Sequence, residues 1–158
     1  MLRPMSIPAE MLKRVVKNAS GQGSTVAPDD VWRAFKIACL VVAVDGKLAE
    51  EEVAALRVMS EELKGLGNAR LDALIQSCLN LPGREDRLEQ LRATADSLTT
   101  EAARHLAYKL AVTTALADLA STDEEFEFDL DVQEALQLAP DVADRLSGEV
   151  HEAVTPAD

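Results

Sequence analysis

Two stretches of the chain combine an apolar run with a terminal aspartate. The first run extends from Ile37 to Val44, and the second, from Leu110 to Ala117, is interrupted only by Thr113 and Thr114. A helix that is apolar on every face is normally buried, and runs of about eight residues are far too short to cross a membrane. The pattern therefore predicts two central helices that share one core.

One constant offset relates the two stretches. The pentapeptide Ala-Phe-Lys-Ile-Ala at 34–38 reappears at 107–111 as Ala-Tyr-Lys-Leu-Ala. The same offset, here called the repeat spacing, carries Asp45 onto Asp118 and Glu52 onto Glu125. Because small, aromatic, basic and acidic positions match in one gap-free register, we interpret the chain as an internal duplication. Segments 29–66 and 102–139 are then predicted to be similar helix-loop-helix units related by a pseudo-two-fold axis.

Amphipathic stretches account for most of the remaining chain. They predict about seven or eight helices: one over 6–16, one from 29 to 45, one that begins at Glu50, one capped by Asn68, one marked by Leu88, Leu91 and Ala95, one capped by Thr100, one that follows Thr122 and is broken at Ala139-Pro140, and one over 142–154. In the helix that follows Thr122, two neighbouring apolar rows are predicted to be buried, Phe126 with Leu130 and Phe128 with Val132 and Leu136. Residues 1–28 are expected to form an N-terminal helix and a flexible linker, and residues 29–154 one helical domain.

Composition supports a helical core. Hydrophobic residues make up 47% of the 158 residues, whereas aromatic residues make up only 3%. The core must therefore consist mainly of Leu, Val and Ala, and no long alternating run typical of a strand occurs. The predicted fold class is all-α. Cys39 and Cys78 each lie within an apolar run, which predicts buried, reduced thiols.

The charge distribution narrows the choice of partners. The formal net charge is −12, and ten acidic residues but no Lys or Arg lie between Lys109 and Arg145. Such a surface repels phosphate backbones, so we expect no nucleic-acid partner and infer that other proteins are the partners. Residues 1–17 lack the apolar segment of a signal peptide, and no membrane span is predicted, which favours a cytoplasmic location. The sequence does not determine the oligomeric state.

The acidic pairs are the strongest candidates for chemistry. Each Asp precedes its Glu by seven positions, across a short loop and the first turn of the next helix. Such a pair can converge, and two facing pairs would offer four carboxylates to a hard cation such as Ca²⁺ or Mg²⁺. A structural interpretation is equally open, because acids in a first helical turn are favoured by the helix dipole. Glu125 can also form a capping box with Thr122.

The first motif resembles the signature of the tellurite-resistance TerB-like family. Residues 45–52, Asp-Gly-Lys-Leu-Ala-Glu-Glu-Glu, follow the apolar run 41–44, and residues 136–140 resemble the usual close of that family's second unit. The resemblance implies an all-helical fold of two units. It also implies a role in tellurite or metal stress through divalent cations and protein contacts, without an enzymatic reaction. The metal ligands it implies are Asp45, Glu52, Asp118 and Glu125. Leu119 stands where the family pattern has glycine.

Other kinds of site fit the sequence less well. No EF-hand loop is present, and the residues three before the two histidines, His105 and His151, are Ala102 and Gly148 rather than the glutamates of a di-iron bundle. His105 occupies the register of Trp32, so a packing role is predicted. The alternative function is a metal-free protein–protein interaction module, similar to the regulatory domain of some membrane-associated J-domain co-chaperones. A hydrolase is a third option, although no nucleophile elbow occurs.

Overall fold

All regular elements that the structure describes are helices. The structure, a computed structural model, describes residues 28–43, 50–62, 68–81, 83–117 and 123–154. Within these ranges there are seven helices: α1 (Pro28–Ala43), α2 (Glu50–Glu62), α3 (Asn68–Leu79), α4 (Arg84–Asp96), α5 (Glu101–Ala117), α6 (Asp123–Ala135) and α7 (Pro140–Val154). The all-α prediction is confirmed for these ranges. The predicted helix at 6–16 and the linker after it lie outside the described residues.

Local chemistry explains where several helices begin. Pro28 is the first residue of α1, where its missing N–H costs no helical hydrogen bond, and Asp29 and Asp30 follow in the first turn. The Thr100 hydroxyl oxygen accepts a hydrogen bond from the Ala103 amide at 3.2 Å, so Thr100 caps α5 as the sequence predicts. These contacts satisfy or avoid amide groups that have no partner inside the helix.

The end of α6 is a Schellman motif without glycine. The Leu138 amide donates to the Gln133 carbonyl, and the Gln137 amide donates to the Glu134 carbonyl, both at 3.0 Å. Gln137 has a φ of 57°, a left-handed conformation that L-residues other than Gly adopt at a cost. Pro140 then begins α7. The helix break predicted at Ala139-Pro140 is therefore the junction between α6 and α7, and this junction contains one residue, Gln137, in a strained conformation.

The core forms around α1 and α5, which share the most extensive helix–helix contact of the described elements. Seven buried positions of α1 correspond to seven buried positions of α5 whose residue numbers are larger by the repeat spacing. They are 34, 35 and 37–41 in α1, and 107, 108 and 110–114 in α5. Ile37, Leu40 and Leu110 are completely buried. The predicted burial of the two apolar runs is confirmed for these positions.

The remaining helices attach to this pair in matching ways. Helix α3 packs on α1 as α7 packs on α5, while α2 contacts both α1 and α5, and so does α6. The starts of α1 and α5, at 28 and 101, are separated by the repeat spacing, and so are the starts of α2 and α6, at 50 and 123. The starts of α3 and α7, at 68 and 140, are closer by one position. The pseudo-two-fold axis itself stays a prediction.

When the repeat spacing is shortened by one position, the correspondence between the two halves also includes α3 and α7. The buried residues Leu71, Leu74 and Cys78 of α3 match the buried residues Ala143, Leu146 and Val150 of α7 when the shorter spacing is applied. The unshortened repeat spacing would instead pair them with exposed or half-buried positions. Because α6 and α7 are joined by one residue fewer than α2 and α3, a gap-free comparison of the sequence does not detect this match.

The predicted burial of Leu130 is wrong. Val132 and Leu136 are completely buried as predicted, but Leu130 is 53% exposed. The inward stripe of α6 consists of residues 129, 132, 133 and 136, which lie on one helical face at spacings of three, four and seven. Leu130, one position after 129, falls on another side of the helix. The side chains of Phe126 and Phe128 lie outside the described ones.

No helix within the described ranges combines the length and apolar character that a bilayer crossing requires.

Because α1 and α5 are buried against each other, truncation of their core side chains should greatly reduce stability. Because Ile37 and Leu110 are completely buried, Ile37→Ala and Leu110→Ala should each lower the free energy of unfolding by about 2–5 kcal/mol in urea titrations. The matched control is Leu130→Ala, which removes the same atoms as Leu110→Ala from an exposed position and should change stability by less than about 0.5 kcal/mol. Losses below about 1 kcal/mol at the two core positions would contradict the central role of α1 and α5.

The strained residue after α6 predicts a stabilising substitution. Gln137→Gly should raise the free energy of unfolding by about 0.5–1 kcal/mol, because relief of the left-handed strain exceeds the added chain entropy of glycine. Gln137→Ala keeps the Cβ atom and should give no gain. Thermal melts of both variants check this. A gain with alanine equal to that with glycine would show that the backbone conformation is not the cause.

Candidate functional site

The structure locates two of the four predicted ligands in equivalent helical positions. Glu52 is the third residue of α2, and Glu125 is the third residue of α6. Their side chains, together with Asp45 and Asp118, lie outside what the structure describes. The convergence of the four carboxylates therefore stays a prediction.

The chemistry of the donor set suits a hard cation. Carboxylate oxygens are the ligands that Ca²⁺ and Mg²⁺ prefer, and these four residues would supply nothing else. The same helical positions also suit acids that merely complement the positive end of the helix dipole. Among the residues that the structure does describe, no group of three or more His, Cys, Asp or Glu residues is arranged to hold a metal.

A polar cluster joins α5 to α6. The Gln133 amide nitrogen donates to Asp129 Oδ2 at 2.9 Å and to the Tyr108 hydroxyl oxygen at 3.2 Å. The Tyr108 hydroxyl donates a long hydrogen bond of 3.5 Å to Asp129 Oδ2. Tyr108 is buried, and the other two residues are partly buried. The three side chains thus satisfy one another where α6 lies against α5.

Burial controls protonation within this cluster. Desolvation raises the pKa of Asp129 above its usual range, although hydrogen bonds from Gln133 and Tyr108 oppose the shift. Burial, reinforced by the negative charge of Asp129, raises the pKa of the Tyr108 hydroxyl far above its usual range. The phenol therefore stays protonated and continues to donate at physiological pH. The cluster holds α6 against α5 through hydrogen bonds.

Comparison of the two halves provides a sequence signal for this cluster. The repeat spacing carries Phe35 onto Tyr108 and Leu56 onto Asp129. Phe35 and Leu56 are both completely buried. A buried apolar pair in the first half is thus replaced at both positions by a hydrogen-bonding pair in the second half. Sequence reasoning missed the cluster because Asp129 lies in the run of acids at 123–131, a pattern that is typical of a solvated helix face.

One ion pair, Lys109 with Glu149, joins α5 to α7. Lys109 is almost completely buried, and its Nζ lies 3.0 Å from Glu149 Oε1, while Arg145 Nε lies 3.7 Å from the other oxygen of the same carboxylate. His105 Nε2 lies 3.6 Å from Glu101 Oε1, and burial lowers the pKa of His105 below its usual range. The partly buried position of His105 agrees with the predicted packing role.

Two surface cavities occur among the described side chains. One of about 200 Å³ lies between α4 and α6 and is lined by Leu88, Leu91, Arg92, Asp96, Asp131, Glu134, Ala135 and Gln137. Another of about 280 Å³ lies at the start of α1 and is lined by Asp29, Trp32, Arg33 and Arg70. In the second cavity Arg33 already pairs with Asp30 at 2.9 Å, and Lys36 Nζ lies 5.8 Å from the centre of the Trp32 ring.

The two thiols are buried and form no disulfide. Burial raises the pKa of Cys78 to about 11 and raises the pKa of Cys39 well above its usual range. Because the thiolate is the reactive form, neither residue suits nucleophilic catalysis. The prediction of buried, reduced cysteines is confirmed.

No protein-family model, curated protein or solved structure matches this chain.

The polar cluster predicts a pH-dependent stability difference. An acid whose pKa is raised in the folded state binds its proton more tightly there than in the unfolded chain. Its favourable contribution is present at low pH and is lost as the pH rises above about 4, the usual pKa of Asp. Asp129→Asn keeps an acceptor oxygen but has no charge to bury. Relative to this variant, the wild type should therefore lose stability as the pH rises from about 4 towards neutrality.

Urea titrations of both proteins at a series of pH values measure this difference, since pH effects that they share cancel. Glu89→Gln on the exposed face of α4 is the control and should follow the wild type. A wild-type curve that runs parallel to the Asp129→Asn curve would contradict the assigned burial cost.

Proposed function

We propose that this chain is a non-enzymatic, TerB-like cytoplasmic protein of the tellurite or metal stress response. It binds a divalent cation such as Ca²⁺ or Mg²⁺ through Asp45, Glu52, Asp118 and Glu125, and it acts through protein contacts. The observation that carries the proposal is the identical placement of Glu52 and Glu125, each at the third position of its helix, in two helices whose starts differ by the repeat spacing. Each glutamate also follows its aspartate by seven positions.

The proposal includes two units related by a pseudo-two-fold axis. Three facts support this arrangement: the equal spacing of the helix starts in two of the three helix pairs, the matching helix contacts, and the shared pattern of burial in α1 and α5. A two-fold axis would give each half the same local geometry around its Asp–Glu pair. The cation would then be held by both halves, and Leu119 in place of glycine would make the second half-site the weaker one.

A bound cation would reduce the electrostatic repulsion among the four carboxylates. Four carboxylates held together without a counter-ion repel one another, in a chain that already has a net charge of −12. A cation that binds only the folded state stabilises it by RT ln(1 + [L]/Kd), which is about 2.7 kcal/mol at a hundredfold excess over Kd. Cation binding should therefore couple directly to thermal stability.

Thermal melts of chelator-treated protein test the proposal. Millimolar Ca²⁺ or Mg²⁺ should raise the Tm of the wild type, and Asp45→Asn with Asp118→Asn should remove this response. The same double variant should have a higher Tm than the wild type without metal, because two repelling charges are gone. Isothermal titration with Ca²⁺, Mg²⁺, Mn²⁺ and Zn²⁺ measures the stoichiometry, which is expected to be one cation per chain.

A second double variant separates a site from general screening. Glu61→Gln with Glu152→Gln removes the same number of charges from two exposed positions on α2 and α7. This control should keep the wild-type response to cations. If wild type, test variant and control all respond alike, the cation only screens the negative surface. The proposed site would then be wrong.

A metal-free interaction module is the second candidate. It is favoured by one specific observation, the exposed Leu130 on a helix that has seven acidic residues and no Lys or Arg. Isolated exposed leucines are common, but this one lies on a charged helix beside a cavity. This candidate requires protein binding that is independent of divalent cations.

A further inference from the structure

We infer that the groove between α4 and α6 binds a basic amphipathic helical segment of a partner protein. The inference deepens the protein-contact part of the proposed function and does not depend on a bound cation. It assigns a surface and a class of partner to that contact.

The groove has an apolar floor and an acidic rim. The half-buried Leu88 and Ala135 provide the apolar surface that a ligand can reach, and the completely buried Leu91 lies beneath them. Asp96 and Glu134 are exposed at the rim, and Asp131 is partly exposed. Asp96 and Glu134 are thus two exposed acids beside one arginine, Arg92, along this lining. A ligand must satisfy both the apolar floor and the excess of negative charge.

The volume of the groove favours a side chain of a larger partner over a small molecule. Pockets for small ligands usually enclose about 300–1,000 Å³. The cavity here is about 200 Å³, which suits one or two apolar side chains such as Leu or Met. Peptide helices bind in this way, through anchors three or four residues apart that enter a groove on the receptor.

Leu130 extends the apolar surface beyond the cavity. It lies four residues before Glu134 on α6, so the two side chains are neighbours on the helix. Its 53% exposure leaves apolar surface available for contact beside the rim. A partner helix with one anchor in the groove can cover Leu130 with the next turn. The exposed leucine thus lies next to Glu134, one of the residues that line the cavity.

Charge complementarity selects a basic partner. Helix α6 has seven acids and no base, and its acids at the groove would attract Lys and Arg that flank the apolar anchors. A second copy of this chain would bring its own net charge of −12 and would be repelled. A nucleic acid would be repelled for the same reason. The remaining class that fits is an amphipathic helix with Lys or Arg around a leucine or methionine stripe.

Fluorescence anisotropy with defined peptides tests the inference on the full chain without added metal. The probe is a labelled helical peptide of about five turns made only of leucine and lysine, with leucines spaced as one helical stripe. Two matched probes replace either every lysine by glutamate or every leucine by serine. The leucine–lysine peptide should bind, and each matched probe should bind at least tenfold more weakly. Equal binding of the serine probe would overturn the inference, because the apolar floor would then contribute nothing.

Variants of the protein locate the binding surface. Asp96→Lys with Glu134→Lys reverses two exposed rim charges and should weaken binding at least tenfold, and Leu130→Gln should weaken it about threefold. Glu61→Lys with Glu152→Lys makes the same charge change elsewhere and should weaken binding less than threefold. Circular dichroism melts verify that each variant folds. If the rim and control variants weaken binding equally, the peptide is attracted by net charge alone and the groove assignment is wrong.

The cation titration and the peptide titration test two separate proposals, so a negative result in one does not imply a negative result in the other. Loss of the cation response in Asp45→Asn with Asp118→Asn, together with unchanged peptide binding, supports two separate sites. A wild type that binds cations but not the leucine–lysine peptide would overturn the groove and leave the proposed cation site standing.

Discussion

The fold depends on the burial of α1 against α5. Each of the other five described helices contacts at least one member of this pair. Burial of a Leu, Ile or Phe side chain contributes about 1.5–3 kcal/mol, and these two helices supply Phe35, Ile37, Leu40, Leu106 and Leu110 to the fully buried set. Disruption of the pair would therefore remove the surface on which the candidate sites are built.

Burial of polar groups in this pair requires local compensation. Thr113 and Thr114 are completely buried, and their hydroxyls donate at 2.7 Å to the carbonyls of Lys109 and Leu110, one turn earlier on the same helix. Lys109 is matched by Glu149. In α1 the positions that correspond to the two threonines are Leu40 and Val41. The second half thus has hydrogen-bonding side chains at matched positions where the first half has apolar ones.

The sequence predicts most of the described fold because its strongest signals are local. Caps, prolines and apolar stripes predict a helix wherever the structure describes one, and the last of them, predicted over 142–154, spans Pro140–Val154. Leu130 was assigned to the wrong face because α6 has two possible apolar rows, and only contact with α1 and α5 selects one. The Tyr108–Asp129 pair was not predicted, because an acid on an acidic helix is expected to be solvated and the sequence does not show that Tyr108 lies beside Asp129.

The candidate sites differ in how far sequence can predict them. The Asp–Glu motifs are visible because each pair is local, but their convergence depends on the relative orientation of the two halves, which no local pattern encodes. The groove between α4 and α6 leaves no contiguous motif, because its floor and rim come from two helices that are distant in the sequence. Only packing brings Leu91 and Ala135 together. Motifs formed by residues that are close in the sequence can therefore be predicted from it, whereas surfaces formed by distant segments require the structure.

Helix α6 connects the proposed cation site with the proposed peptide groove. Glu125 and Asp131 are six positions apart, which corresponds to about 9 Å along the helix axis. This separation is close to the Debye length of about 8 Å at physiological ionic strength, so a divalent cation at Glu125 weakens the field at the groove without abolishing it. A cation and a basic partner are both attracted by the negative charge of α6. Their binding must therefore be weakly antagonistic if both occur, because each neutralises part of the charge that attracts the other.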